Sequence, residues 1–398
     1  MSLQDTPRAN RLHIGIFGKR NSGKSTLLNA ITGQDIALVS EIKGTTTDPV
    51  YKAMEIHGLG PCVLIDTAGI DDEEKIGKLR VEKTKETLDK IDVALLVFDG
   101  DKDIEPEKQW IKLLKSKKIP IIPVLNKSDL LNDSESVSAY IKENTGFKPV
   151  VVSAKEKEGI PQIINSIIRH LPEDFDAQTI TGKVVKEGDL VLLVMPQDIQ
   201  APKGRLILPQ VQTIRELLDR KCPVVCVTTD MLETALKSLA RPPAVIITDS
   251  QAFKKVYEIK PPQSKLTSFS ILFAGYKGDI DYYVKSVQAI ENLKENSKVL
   301  IAEACTHAPL EEDIGREKIP KLLRQRVGEG LTVEVVSGVD FPADLSPYDL
   351  IIHCGGCMFN RKYVLSRIER AKNQNIPMTN YGVVLAYLAG ILDKVSLN

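Results

Sequence analysis

No stretch of this chain leaves the fold less choice than Gly18-Lys19-Arg20-Asn21-Ser22-Gly23-Lys24-Ser25. An apolar run, Leu12 to Phe17, enters it, and a helical pattern (Thr26, Leu27, Leu28, Ala30, Ile31) leaves it and ends at Gly33. Strand, GxxxxGKS and helix in that order form a loop that closes round phosphates. Its glycines let backbone N–H groups point inward at a helix N-terminus, Lys24 reaches the β and γ phosphates, and the Ser25 hydroxyl takes Mg²⁺. The spacing alone arises often by chance. What makes it specific is the order of the later loops: Gly44-Thr45-Thr46-Thr47-Asp48; strand Cys62 to Ile65 running into Asp66-Thr67-Ala68-Gly69; strand Val93 to Phe98; strand Pro120 to Leu125 running into Asn126-Lys127-Ser128-Asp129; and Val150 to Val152 running into Ser153-Ala154-Lys155. Such loops sit where a doubly wound sheet presents its ligand, at strand C-termini.

This set resembles the translation-factor-related GTPases over roughly residues 10 to 172. The resemblance implies a phosphate cradle of Gly18, Asn21, Ser22, Gly23, Lys24, Ser25 and Thr26, with Thr46 or its neighbour Thr45 as the switch threonine for Mg²⁺ and the γ-phosphate. By the same resemblance Asp66 holds a metal-bound water, and Gly69 closes the second switch motif. Asn126, Lys127, Asp129, Ser153 and Ala154 form the base site, in which Asp129 accepts from the guanine amines. An adenine would leave that carboxylate unpaired, a mismatch that can discriminate by about 10⁴. The nucleotide expected is therefore GTP. Ile70 stands where many relatives carry a glutamine that orients water, so unaided hydrolysis should be slow. Asn21 and the GTTTD loop resemble a potassium-activated subgroup, in which K⁺ supplies charge otherwise given by an arginine finger. Lys24, Asn21 and Thr46 are the expected catalytic residues. The alternative for Asn21 is a loop-capping amide.

A second chemistry gathers near the other end, in Cys305-Thr306-His307 and His353-Cys354-Gly355-Gly356-Cys357. Each group follows an apolar β-like run, Lys298 to Ala304 and Tyr348 to Ile352. A CxxC turn lets two thiolates face one centre, and a third sulfur from a neighbouring strand completes a triangle round a metal or cluster. Iron with sulfide is the leading expectation. The same ligand types would suit a closed zinc site, and the CxxC alone would suit a redox pair, although that motif needs neither Cys305 nor the flanking histidines. Inert buried thiols explain a lone cysteine, not five soft or borderline ligands in two tight groups.

A length of 398 residues suggests two or three domains. Pro172-Glu173-Asp174 and Pro261-Pro262-Gln263 mark breaks, which divides the chain into a GTP-binding P-loop domain at 1–172, a dimerisation α/β domain at 173–265 and a cluster-binding α/β domain at 266–398. The expected fold is α/β throughout, a P-loop GTPase domain followed by two smaller parallel-sheet domains. In the third of these, Ser268 to Phe273 is expected to be the first strand. Cys222 and Cys226 lie in an apolar strand without neighbouring ligands and are expected to be structural, and Trp110 is expected to pack in a core. Lys and Arg balance Asp and Glu at 53 each, so no net field draws the molecule to nucleic acid or to an anionic membrane. No apolar run approaches membrane-spanning length, which points to a cytoplasmic protein, and a reducing compartment suits free thiolates.

A small GTPase with CxH, a gap of this length and HCxxC near its C-terminus resembles the HydF family of [FeFe]-hydrogenase maturation GTPases. The resemblance covers all three expected domains. It implies a homodimeric scaffold that carries a [4Fe-4S] cluster on Cys305, Cys354 and Cys357, with His307 and His353 near or at the fourth iron. It further implies a transient di-iron precursor, received from radical-SAM maturases and delivered to apo-[FeFe]-hydrogenase. The rival expectation is a regulatory GTPase of the ribosome or RNA with a structural zinc site. Neutral net charge and the lack of interleaved basic and aromatic residues weigh against it.

Overall fold

The structure, a computed structural model, describes residues 8–32, 50–56, 59–67, 87–171, 179–196, 206–304 and 314–397. It divides into two compact units, Met1–Asp176 and Ala177–Asn398.

The first unit is built on a six-stranded sheet: β1 (Leu12–Gly18), β2 (Val50–Ile56), β3 (Gly60–Asp66), β4 (Val93–Phe98), β5 (Ile121–Leu125) and β6 (Val150–Val151). Its order is β2-β3-β1-β4-β5-β6, with β2 antiparallel to β3 and the other pairs parallel. All six residues of β4 are buried, as a strand covered by helices on both faces requires. One face packs Ile14, Ile16, Leu64, Leu95 and Val97 with the helices Lys24–Thr32 and Ile160–His170. The other packs Phe17, Ala94, Leu96 and Phe98 with the helix Glu105–Ser116, where Trp110 lies fully buried with its ring centroid 4.8 Å from that of Phe17. Trp110 is thus the core residue its apolar stripe suggested. Gly18 closes β1 at φ +146, and a Cβ there would lie 2.4 Å from the Val97 carbonyl oxygen, so the P-loop can leave the sheet only from a glycine.

The second unit holds two four-stranded parallel sheets. The first comprises β7 (Val191–Val194), β8 (Val224–Val227), β9 (Val245–Thr248) and β10 (Lys265–Ser268), in the order β10-β9-β7-β8. The second comprises β11 (Lys298–Glu303), β12 (Thr332–Ser337), β13 (Leu350–His353) and β14 (Met378–Asn380), in the order β12-β11-β13-β14. β11 and β13 are direct neighbours. Both motif-bearing runs therefore end at the same sheet edge, as a shared site requires.

Two expectations need correction here. The segment expected as a strand, Ser268 to Phe273, is the start of a helix, Phe269–Lys277, and the middle sheet runs on through Ser268, past the break expected at 265. The physical reason is burial on every side, which erases the period that separates a helix from a strand. Phe269, Leu272 and Phe273 pack on the β7 and β9 side chains, Ile271 packs on the opposite core of the same sheet, and Ala274 enters the core of the second sheet. The Ser268 hydroxyl accepts the Ile271 N–H at 3.2 Å and so starts the helix. The helix Tyr381–Leu388 crosses close by: a Cβ on Gly382 would meet the Ser270 hydroxyl at 2.6 Å and the Ile271 nitrogen at 3.0 Å.

Candidate functional site

In the first unit the four described loops converge on the C-terminal edge of the sheet. The Lys24 ammonium lies inside the P-loop, donating to the carbonyls of Gly18 at 3.0 Å and Lys19 at 2.6 Å. Asn21 adopts the left-handed conformation at φ +61, which asparagine tolerates better than most residues. The Ser25 hydroxyl donates to Asp66 at 3.2 Å, which joins the two side chains expected at Mg²⁺. Burial raises the Asp66 carboxyl above the ordinary range while Lys24 holds it down. The second carboxylate oxygen of Asp66 and the Ser22 hydroxyl are both buried with no hydrogen-bond partner among the described residues. Such orphaned groups fit a cradle that takes its missing partners from a nucleotide and its metal.

Asn126 knits the base site to the phosphate site. Its Nδ2 donates to the Ser22 carbonyl at 3.1 Å, and its Oδ1 accepts the Ala154 N–H at 3.0 Å. The Ser153 hydroxyl donates to Asp129 at 2.6 Å, and Lys127 turns the chain at φ +59 so that Asp129 stays exposed at the rim. Gly18, Asn21, Ser22, Gly23, Lys24, Ser25, Thr26, Asp66, Asn126, Lys127, Asp129, Ser153 and Ala154 thus all lie at one sheet edge. Thr46, Gly69 and Ile70 lie outside the described residues.

Sequence inspection missed Glu107. It is 1% exposed, in the first turn of the helix Glu105–Ser116, and its carboxylate accepts the backbone N–H of Lys19 in the P-loop. Burial pushes it up to about 7, against the opposing pull of backbone N–H groups and of the Lys19 charge. Only its position one turn before the buried Trp110 could have pointed to it, and that signal is weak.

The second site forms at the end of β13. The Cys354 sulfur accepts the Ala304 N–H at 3.0 Å, from the end of β11, and the Gly356 N–H at 3.4 Å, from its own turn. Gly356 makes that turn at φ +62. Burial pushes the Cys354 thiol up to about 11, and the charge of nearby Cys357 adds to the rise while the two N–H bonds oppose it. N–H donors on sulfur are what a thiolate ligand of a metal or iron–sulfur cluster needs, so this half of the ligand set fits. Cys305 and His307 lie outside the described residues, and among the described residues no three His, Cys, Asp or Glu side chains gather round one point.

His353 is fully buried and both of its nitrogens are engaged: Nδ1–H donates to the Cys354 carbonyl at 2.7 Å, and Nε2 accepts from Arg367 at 3.0 Å. Burial and then Arg367 drive it down to about 3, so it is neutral. Direct ligation of iron would cost it the Arg367 bond. Arg367 itself, 1% exposed, stands among the rings of Phe341, Phe359 and Tyr363 at 4.6–4.8 Å and donates to the Gly338 carbonyl. Cys222 is buried as expected, whereas Cys226 is exposed on β8.

Glu107 yields a pH prediction. Its folded pKa lies above the unfolded value near 4.5, so the folded state keeps a proton that the unfolded chain has lost. The associated stability is fully present below about 4.5 and is lost as pH rises to about 7, up to roughly 3 kcal/mol by linkage. Glu107→Gln should flatten the urea-midpoint profile across that window relative to wild type; parallel profiles would show that Glu107 does not titrate there.

Three family models match the chain: a 50S ribosome-binding GTPase model over residues 13–127, the Hydrogen maturase F dimerization domain over 180–278 and the Hydrogen maturase F tetramerization domain over 281–397. Among curated proteins, GTPase Der of Kosmotoga olearia is 37% identical over 183 residues, 43% of this chain and 41% of that one. The tRNA modification GTPase MnmE of Clostridioides difficile is 36% identical over 156 residues, 38% of this chain and 33% of that one. The chain thus spans about two fifths or less of the length of these relatives. Among solved structures, an Aquifex aeolicus Era bound to GDP.AlF4- has 22% identity and a TM-score of 0.35, covering 54% of this chain and 91% of that one. The two Hydrogen maturase F models together span more than half of the chain and follow a GTPase domain, so the chain belongs to the HydF family of hydrogenase maturation GTPases.

Proposed function

We propose that this chain is a GTP-hydrolysing scaffold that holds a [4Fe-4S] cluster on Cys305, Cys354 and Cys357 and passes a di-iron precursor to apo-[FeFe]-hydrogenase. The observation that carries the proposal is the Cys354 sulfur, held by N–H groups from the end of β11 and from its own turn, in a chain whose first unit also carries a P-loop and a base site. A bound cluster would be held in part by Cys354 and Cys357 of this turn and would supply iron to which the precursor attaches. The turn's own residues do the holding: Gly356 shapes it, Ala304 and Gly356 donate to sulfur, and His353 with Arg367 anchors it from behind. Radical-SAM maturases are the proposed source of the precursor, and a reducing, cytoplasmic setting suits the free thiols. Among the described residues no helix is long and apolar enough to cross a membrane.

GTP and Mg²⁺ occupy the P-loop in this account, with Lys24 on the phosphates and Ser25 and Asp66 toward the metal. The exposed conformation of Asn21 is the support for a K⁺ ion beside the phosphates. We place the homodimer contact on β8, an edge strand of the middle sheet whose Val224, Val225 and Val227 are half-buried and whose Cys226 is exposed. Among the described residues no strand pairs with the outer side of β8, and an apolar edge of this kind favours strand pairing with another chain. The ribosome-binding GTPase model ends at residue 127 and does not reach the cysteine site.

Two experiments test this. Cys305→Ala, Cys354→Ala and Cys357→Ala should each lose the iron of anaerobically prepared protein, whereas Lys24→Ala should lose GTP binding and keep its iron. Retention of full iron by the cysteine variants would reject the assignment. GTP turnover should be slow and faster in potassium than in sodium; equal turnover in the two salts would remove the K⁺ site.

A further inference from the structure

Behind the cysteine turn sits a lysine that thiol ligation alone does not explain. Lys277 ends the helix Phe269–Lys277 and is 1% exposed. Its ammonium donates to the carbonyls of Gly356 at 3.3 Å, Cys357 at 3.2 Å and Phe359 at 2.7 Å. An ammonium has three N–H donors, and all three find acceptors within one four-residue turn. The Phe273 ring lies 5.9 Å away. Burial pushes the Lys277 ammonium down to about 8, and Cys357 and Cys354, as thiolates, would pull it back up.

Carbonyl dipoles solvate a buried ammonium without neutralising it, and a buried charge lacking a counter-charge is strongly disfavoured. A lysine that merely lends its stem to a core lets its head reach water, which 1% exposure forbids here. A cation that merely complements a helix C-terminus would bond that helix's own carbonyls, whereas this one bonds a turn some 80 positions away. A neutral glutamine could pin the turn at less electrostatic cost. The use of a full charge points to the thiolates in front of it. Net charge and hydrogen bonding round the sulfurs are among the levers that set an iron–sulfur reduction potential.

We propose that Lys277 is a positioning residue for the metal centre, anchoring the Gly356–Phe359 turn and holding a fixed positive charge behind Cys354 and Cys357 that favours the reduced state. This rests on the reading that these cysteines ligate an iron–sulfur cluster. Because its helix begins directly after β10, the same residue ties the middle sheet to that centre.

The test is an EPR-monitored redox titration of the full-length, anaerobically prepared protein and of three variants. Lys277→Arg keeps the charge, Lys277→Gln keeps a donor without charge, and Lys277→Met keeps neither. Both neutral variants should be harder to reduce by about tenfold or more in the one-electron equilibrium, a fall of about 59 mV, with Lys277→Arg nearer to wild type than either. If Lys277→Met fails to fold, Lys277→Gln against Lys277→Arg decides. Iron lost from the neutral variants but kept by Lys277→Arg, with native circular dichroism, would also support the proposal. A Lys277→Gln potential equal to wild type, or iron lost equally from all three variants, would overturn it. Wild-type protein without iron and sulfide would instead overturn the cluster reading itself, and Lys277's role with it, before any variant is compared.

Discussion

Burial of the helix Phe269–Lys277 on all sides is the interaction on which the second unit depends. Its side chains are shared among the two cores of the middle sheet and the core of the C-terminal sheet. Two parallel sheets that could each have folded as a separate layer become one compact body, Ala177–Asn398. The chain's last residues reinforce the union: Ile391 and Val395 enter a core of the middle sheet, and the Ser396 N–H donates to the Leu266 carbonyl at 2.8 Å. The same helix delivers Lys277 to the cysteine turn, so the element that organises the packing also shapes the site.

In the first unit, one amide has the comparable role. Asn126 bonds the P-loop through Ser22 and the base loop through Ala154, so the phosphate and base sites are fixed relative to each other before any nucleotide arrives. Preorganisation of this kind favours positioning over chemistry, in keeping with phosphoryl transfer, where the protein mainly orients and stabilises charge. Glu107 supports the P-loop from beneath by accepting the Lys19 N–H.

The G-domain loops were legible in the sequence because phosphate and guanine recognition demand particular residue types at strand ends, and the alternation of strand and helix fixed their order. The cysteine turn was legible for the same reason: apolar β13 runs straight into His353 and Cys354. The helix Phe269–Lys277 was not. A run of buried residues has no polar face, so Phe269 to Phe273 reads equally well as a core strand. Nor was the support behind the turn. Nothing in the sequence marks Lys277 or Arg367, because their partners Gly356, Cys357 and Gly338 are backbone carbonyls that no side-chain pattern announces. His353 looked like a candidate ligand because its neighbours are cysteines, yet its ring bonds are set by Arg367, 14 positions further on.

The central claim is that one chain joins a GTPase domain to a thiolate site for iron and sulfide. It is tested most directly by elemental analysis of the wild-type protein purified without oxygen. The account predicts iron and acid-labile sulfide in equal amounts, with little zinc. Stoichiometric zinc without sulfide would contradict it and would make the cysteine turn a structural metal site.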